Sequence, residues 1–200
     1  MLQLNPPAEG RLLLHACCAP CSLAIVECLL QNGIRPTLFF YNPNIFPEEE
    51  YLHRKEEIIR YAKLQGIDCV DADYDHQQWL EDVCGLENEP ERGARCLRCF
   101  YLRLKRSAEY AHEHGFSVVA TTLATSRWKS LEQVSQAGRL AVEPFEDLVF
   151  WGENWRKGGL QQRRSELLQR YQFYNQNYCG CEFSRRDVMA KEAAKNIEKK

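Results

Sequence analysis

The sequence holds little that would send it to a membrane or out of the cell. Its first ten residues, Met1-Leu2-Gln3-Leu4-Asn5-Pro6-Pro7-Ala8-Glu9-Gly10, lack the basic start and apolar run of an export signal, and no stretch is long enough to cross a bilayer. Excess charge of one sign is also missing: 26 Lys and Arg stand against 28 Asp and Glu, a net charge of −2, so composition alone names no polyanionic partner. Neither a Gly-x-x-x-x-Gly-Lys-Ser loop nor a Gly-x-Gly-x-x-Gly turn is present, which removes the two common glycine-based phosphate cradles. Internal repeats and low-complexity segments are absent as well, which excludes solenoid architectures.

Cysteine, by contrast, is abundant, with ten in 200 residues. In a chain without an export signal such usage reads as metal binding or redox chemistry rather than disulfide stapling, and it predicts a cytoplasmic protein. A hydrophobic content of 44% over this length suits one compact unit. We expect residues 11–188 to form that unit and 189–200 to form a charged tail. Charge is uneven along the chain. Residues 151–200 hold eleven Lys and Arg against six Asp and Glu, so they carry +5 and the remainder −7. That tail reads as a nucleic-acid surface or as a solvated basic helix.

The coarse pattern is strand, helix, strand, repeated. Leu12-Leu13-Leu14 is a short apolar strand that stops at His15-Ala16-Cys17-Cys18-Ala19-Pro20-Cys21-Ser22, and residues 22–31 read as a helix ended by Asn32-Gly33. Thr37–Tyr41 is a second strand, a helix follows to a C-cap at Gly66, and Ile67–Asp73 is a third strand. Residues 76–95 read as a short helix and a loop. A helix beginning near Ala94 presents Leu97, Phe100, Tyr101, Leu104, Ala108 and Ala111 on one face and ends at Gly115, before a fourth strand at Phe116–Thr122. Residues 139–159 show no clear period and suit a loop over the rim or a short edge strand. Leu160 to Tyr178 read as a last long helix running directly into Cys179-Gly180-Cys181, and Ala190–Lys200 as a frayed charged helix. The order predicts an α/β fold with a doubly wound, mostly parallel sheet, its ligand site in the crevice at the carboxyl ends of the strands.

Seven cysteines fall in three clusters. Cys17, Cys18 and Cys21 follow the first strand. Cys96 and Cys99, spaced i, i+3, point the same way from a helix, and a glycine between Cys179 and Cys181 lets the backbone turn both sulfurs toward a common centre. Cys28, Cys69 and Cys84 are single and read as buried small hydrophobes. Seven sulfurs exceed the four thiolates of one structural zinc site and of one iron–sulfur cluster, which suggests a second metal or a redox pair beside a cluster. Cys18-Ala19-Pro20-Cys21 also matches the Cys-x-Pro-Cys of thioredoxin-like oxidoreductases, but that reading leaves five thiols without a role. Arg103 and Arg106, one and two turns beyond Cys99, are either cations that favour thiolates or the solvent face of the helix.

Taken together, His15-x-Cys17-Cys18-Ala19-Pro20-Cys21, Cys96-x-x-Cys99-Phe100-x-x-Arg103-Leu104, Thr121-Thr122-Leu123 and Tyr178-Cys179-Gly180-Cys181-x-Phe183-Ser184 resemble the QueH family of epoxyqueuosine reductases, over roughly residues 11–188. The resemblance implies a nucleotide-hydrolase-like α/β domain that removes the epoxide oxygen of epoxyqueuosine at the wobble position of tRNA. It also implies a [4Fe–4S] cluster with an adjacent mononuclear iron site, and an electron donor that remains to be named. By motif match the ligands are Cys17, Cys18, Cys21, Cys96, Cys99, Cys179 and Cys181, with no assignment of sulfur to metal.

Deoxygenating an epoxide takes two electrons, two protons and a Lewis acid on oxygen. His15 is one candidate proton donor. If the third strand reaches Asp75, then Asp71, Asp73 and Asp75 share a face, and Asp75, nearest the rim, is a candidate acid or metal ligand; a solvated acidic strand end is the alternative. For tRNA, Arg103, Lys129, Arg156, Lys157, Arg163, Arg164, Arg185 and Arg186 are candidate phosphate contacts, and Trp128, Trp151 and Trp155 are candidate stacking platforms or core. Two other readings stand beside the reductase: a thiol–disulfide oxidoreductase using Cys18 and Cys21, and a zinc-stabilised tRNA-binding module.

Overall fold

A computed structural model describes residues 2–126 and 129–197. Five strands form one sheet: β1 (Leu12–His15), β2 (Pro36–Phe40), β3 (Cys69–Asp71), β4 (Val118–Thr121) and β5 (Val149–Trp151). Their order is β3-β2-β1-β4-β5, every pair parallel, with Leu12 opposite both Pro36 and Val118. The central strand is apolar along its whole length because helices cover both its faces, and burial on two sides replaces the alternation of a one-sided strand. Strand order reverses between β1 and β4, which opens a crevice at their carboxyl ends.

The helices are α1 (Ala19–Gln31), α2 (Glu48–Gln65), α3 (His76–Asp82), α4 (Ala94–Glu113), α5 (Leu131–Val142), α6 (Leu160–Tyr171) and α7 (Glu182–Ile197). Helix α1 packs against α2 and α6, and α4 packs against α5 and on β1 and β4. Pro20, in its first turn, suits the start of α1, and Gly66 in the left-handed conformation ends α2 as expected. Helix α7 runs through the boundary expected at residue 188, and its residues from Met189 to Lys195 are exposed.

Three elements differ from the sequence reading. Helix α5 was not expected, although its apolar and polar residues do segregate at helical spacing; its buried face is Val134, Ala137, Gly138 and Ala141. A Cβ at Gly138 would collide with the Phe150 ring, so this small face is what lets β5 lie close. Strand β3 stops at Asp71, because Asp75 is the N-cap of α3 and its carboxylate accepts from Gln78 N at 2.9 Å. Helix α6 ends at Tyr171, where Gln172 takes φ 53°, and the chain reaches Cys179 through an irregular segment rather than along a helix.

Candidate metal centre

The first thiol group sits at the switch point itself. Cys17 N donates to Thr122 Oγ1 at 3.1 Å, and that hydroxyl donates back to Cys17 Sγ at 3.4 Å, which joins the end of β1 to the turn after β4. Cys18, in extended conformation, precedes α1, and Cys21 lies in its first turn. The helix start curls the chain so that the sulfurs of Cys17, Cys18 and Cys21 all lie within 4.8 Å of one another, close enough to share one metal ion. Hydrogen bonds from Cys18 and Cys21, and then the charges of Lys129 and Arg103, hold the Cys17 thiol well below its ordinary pKa despite burial. The partners move the other way. Burial and the bond to Cys17 push Cys18 up to about 11, and its bonds to Cys17 and Cys18 raise Cys21. The trio therefore titrates as a coupled set in which negative charge is favoured at Cys17 and disfavoured at its two neighbours. Gln176 Nε2 adds a donor to Cys18 Sγ at 2.8 Å.

The second thiol group is assembled from two distant stretches. Cys96 and Cys99 occupy the first turns of α4, and Cys179 and Cys181 flank the turn before α7. Burial, then the charge of Cys179, raises Cys96 to about 11; burial raises Cys99 and Cys181, and the charge of Cys179 adds to both. Arg92 N donates to Cys96 Sγ at 3.3 Å and Ser184 N to Cys181 Sγ at 3.4 Å. Donors aimed at sulfur in both groups are what metal-bound thiolates require, so the residues fit a thiolate-held centre.

The Cys179–Cys181 turn is clamped. Arg54 of α2, 2% exposed, donates from Nη1 to Cys179 O at 3.2 Å, Phe46 N donates to Gly180 O at 2.9 Å, and Cys179 N donates to Ser184 Oγ at 3.1 Å. Gly180 holds φ 129°, and a Cβ there would meet Arg54 Nη1 at 3.1 Å and Ile45 Cγ1 at 3.2 Å. Gly180→Ala is therefore expected to cost roughly 1–3 kcal/mol from backbone strain alone and to displace both flanking thiols. Thermal denaturation and iron content of the variant check this; wild-type values in both would show the turn to be permissive.

A cavity of about 450 Å³ is lined by Cys17 and Cys21 of the first group and Cys179 of the second, together with Arg54, Lys129, Arg164 and a run of amides that includes Asn175, Gln176 and Asn177. Lys129 is 7% exposed. Burial works against its charge, but the negative charge of Cys179, Cys17 and Cys21 in their thiolate forms outweighs that and raises its pKa.

Several expected site residues take other places. His15 is fully buried, its Nδ1 bonded to Thr121 Oγ1 at 2.9 Å and its Nε2 to Tyr41 O at 3.1 Å. Burial, then Arg103, pushes its pKa down to about 3, which favours the neutral ring, and its two nitrogens tie β1 to β4 and to the end of β2. Asp75 is exposed and occupied as a helix cap, outside the cavity lining. Arg103 is buried and donates to Asn42 Oδ1, while Asn42 Nδ2 donates to Ala16 O at 3.0 Å; it braces the thiol loop instead of meeting a phosphate. Lys129 lines the cavity beside the thiols.

Arg156 donates to the carbonyls of Ala124, Ser126 and Lys129, fixing the loop that carries Lys129. Arg163 is paired with Glu27 at 2.7 Å and Glu166 at 2.7 Å. Arg164 borders the cavity, bonded to Pro20 O and Asn175 Oδ1. Lys157 and Arg186 are exposed, and Arg185 and Arg106 partly so, the last near Asp73 at 3.6 Å. Trp151 and Trp155 are core, their rings 5.6 Å apart and inclined at 65°, so neither presents a free face to a base. Trp128 lies outside the described residues. Of the single cysteines Cys28 is buried, Cys69 half-buried and Cys84 exposed, so burial does not explain Cys84.

Sequence reasoning missed Gln176, Arg54, Asn42 and Thr125 at the site. Glu50, four residues before Arg54 and bonded to it at 2.7 Å, was the one local signal for a buried arginine.

Fold and site together define a class: a parallel α/β protein that presents clustered thiols, fit to hold metal, at the strand switch point. A family model described as Epoxyqueuosine reductase QueH matches residues 12–187. The chain is 52% identical over 182 residues to the Epoxyqueuosine reductase QueH of Haemophilus influenzae, which covers 91% of this chain and 74% of that protein. It is 50% identical to the Acinetobacter baylyi protein of the same name (92% and 84% covered) and 33% identical to that of Thermotoga maritima (88% and 90%). The chain belongs to the QueH family of epoxyqueuosine reductases.

Proposed function

We propose that this chain reduces epoxyqueuosine to queuosine at the wobble position of tRNA, in the cytoplasm, at a centre built from its seven clustered cysteines. The observation that carries the reading is a polar cavity at the switch point bordered by Cys17 and Cys21 of one thiol cluster and Cys179 of another, with Cys96 and Cys99 near enough to Cys179 to feel its charge. Cys17, Cys18 and Cys21 have the spacing for a single ion. Cys96, Cys99, Cys179 and Cys181 supply the four thiolates a [4Fe–4S] cluster takes, and no three of them draw within 4.8 Å of one another, as a ligand set for one ion would.

When bound, iron in these sites would relay the two electrons drawn from an external electron donor and supply the Lewis-acid pull that loosens the epoxide C–O bonds. The chain supplies the rest. Lys129 holds a permanent positive charge beside the thiols, where charge on the departing oxygen is stabilised without reorganisation. Arg164, Asn175 and Asn177 offer donors and acceptors at the cavity wall for the nucleotide, and the buried sheet beneath keeps the thiol loop rigid. Among the described residues no helix is long and apolar enough to cross a membrane. Neither alternative is favoured. The acidic thiol is Cys17, not Cys18 or Cys21, which disfavours a Cys18–Cys21 exchange pair, and a zinc module has no use for two thiol groups around an open cavity.

The test is iron, zinc and acid-labile sulfide per chain on protein purified without oxygen, followed by an assay on tRNA carrying epoxyqueuosine with the nucleoside product read by mass spectrometry. Zinc without sulfide, or iron-loaded protein that leaves the epoxide intact under dithionite, would refute the reading. For the tRNA contact, Arg164→Glu is expected to weaken binding and flatten its salt dependence by about one counterion. Arg163→Gln is expected to change that slope little, because Arg163 is already neutralised by Glu27 and Glu166. Equal slopes for all three proteins would remove Arg164 from the tRNA surface.

A further inference from the structure

A buried tryptophan lies against one of the thiols with an unspent hydrogen-bond donor. Trp79 of α3 is 2% exposed and shares a small apolar cluster with Val83, Cys99 and Phe183, with Cys181 packed at its edge. His76 stacks on its ring at 5.6 Å and Phe183 lies tilted at 6.0 Å, so the indole is fixed in orientation. Its Nε1–H closes no hydrogen bond among the described residues, although buried indole donors as a rule find a partner. Arg103 repeats the pattern from α4: one end of its guanidinium donates to Asn42 Oδ1, and Nε is left over. The polar atom that both donors approach is Cys99 Sγ. A thiol is a weak acceptor and a thiolate a strong one, so two unspent donors on one sulfur are accounted for when that sulfur is anionic and bound to metal.

We propose that Trp79 Nε1, seconded by Arg103 Nε, donates to the Cys99 thiolate of the metal-loaded protein and sets the reduction potential of the centre that thiolate holds. The inference rests on the thiolate-centre reading above. An N–H···S bond withdraws charge from sulfur, stabilises the reduced state and raises the potential. Val83 and Phe183 keep water from the sulfur, so each such bond acts in a medium where it is strong. Trp79 is in these terms a positioning residue, acting on the substrate only through Cys99.

Trp79→Phe keeps the aromatic packing and deletes the donor. In anaerobic redox titrations followed by visible absorption, the variant is expected to bind iron as the wild type does and to show a more negative midpoint potential. Replacing Trp79 with its benzothienyl analogue, which carries sulfur in place of N–H at nearly the same shape, is expected to reproduce that shift and covers the case in which Trp79→Phe fails to fold. In protein loaded with cadmium-113, the Trp79 indole proton is expected to show a scalar coupling to the metal across the hydrogen bond. An unchanged potential at equal iron content, or no such coupling in cadmium-loaded protein, overturns the proposal. A wild-type chain that binds neither iron nor cadmium refutes the thiolate centre itself, and metal analysis alone separates that failure from the other two.

Discussion

Cys17→Ala is expected to lower turnover of epoxyqueuosine-containing tRNA by on the order of 10³-fold, about 4 kcal/mol of transition-state stabilisation. The size follows from what Cys17 does. It is the member of the trio where negative charge is favoured, it accepts from Thr122, and its backbone N–H ties β1 to the turn after β4. Without it, two thiols remain, which is too few for a tight single-ion site. Iron bound by Cys96, Cys99, Cys179 and Cys181 is expected to stay, so the variant should lose metal in part and activity almost wholly. Metal and sulfide content with single-turnover assays by mass spectrometry check this. Loss of all iron would mean that the two thiol groups hold one inseparable centre, and wild-type turnover would remove Cys17 from the chemistry.

Much of the architecture is legible in the sequence because apolar runs and caps are local. The run Leu12–Leu14, Pro20 at the start of α1 and Gly66 at the end of α2 each act within a few residues, and the parallel order follows from their alternation. The amphipathic period of helix α5 was there to be read, but the reason for its small inner face was not: Gly138 admits Phe150, twelve positions away. Asp75 could have been read as a cap, since Asp75-x-x-Gln78 is a helix-start pattern; the carboxylate alternation at 71, 73 and 75 hid it.

The thiol clusters are legible for a different reason. Their residue type and spacing have few structural explanations, whereas a lone cation has many. The roles of Arg54, Arg103 and Lys129 come from groups 40 and more residues distant: Cys179 for Arg54, Asn42 for Arg103, Cys17 and Cys179 for Lys129. No local window holds that information.

Lys129 then becomes the most exacting test of the electrostatics. It is a buried ammonium with no carboxylate partner among its dominant influences; the thiols of Cys179, Cys17 and Cys21 are what keep it charged, and it in turn favours the Cys17 thiolate. Removing one member of a buried charge set typically costs about 3–5 kcal/mol, because the other charges are left uncompensated. Lys129→Met, similar in length and shape but uncharged, is therefore expected to lower kcat by roughly 10²–10³-fold, the range seen when one preorganised charge at a developing oxyanion is removed. KM for tRNA should move little, since Lys129 is 7% exposed and faces thiols rather than the surface where phosphates arrive. Lys129→Arg keeps the charge in a larger side chain and is expected to restore part of kcat. A Lys129→Met enzyme with wild-type kcat and a raised KM would invert the assignment: the lysine would then be a tRNA contact, and the charge balance of the cavity would have to be carried by Arg103 and Arg54.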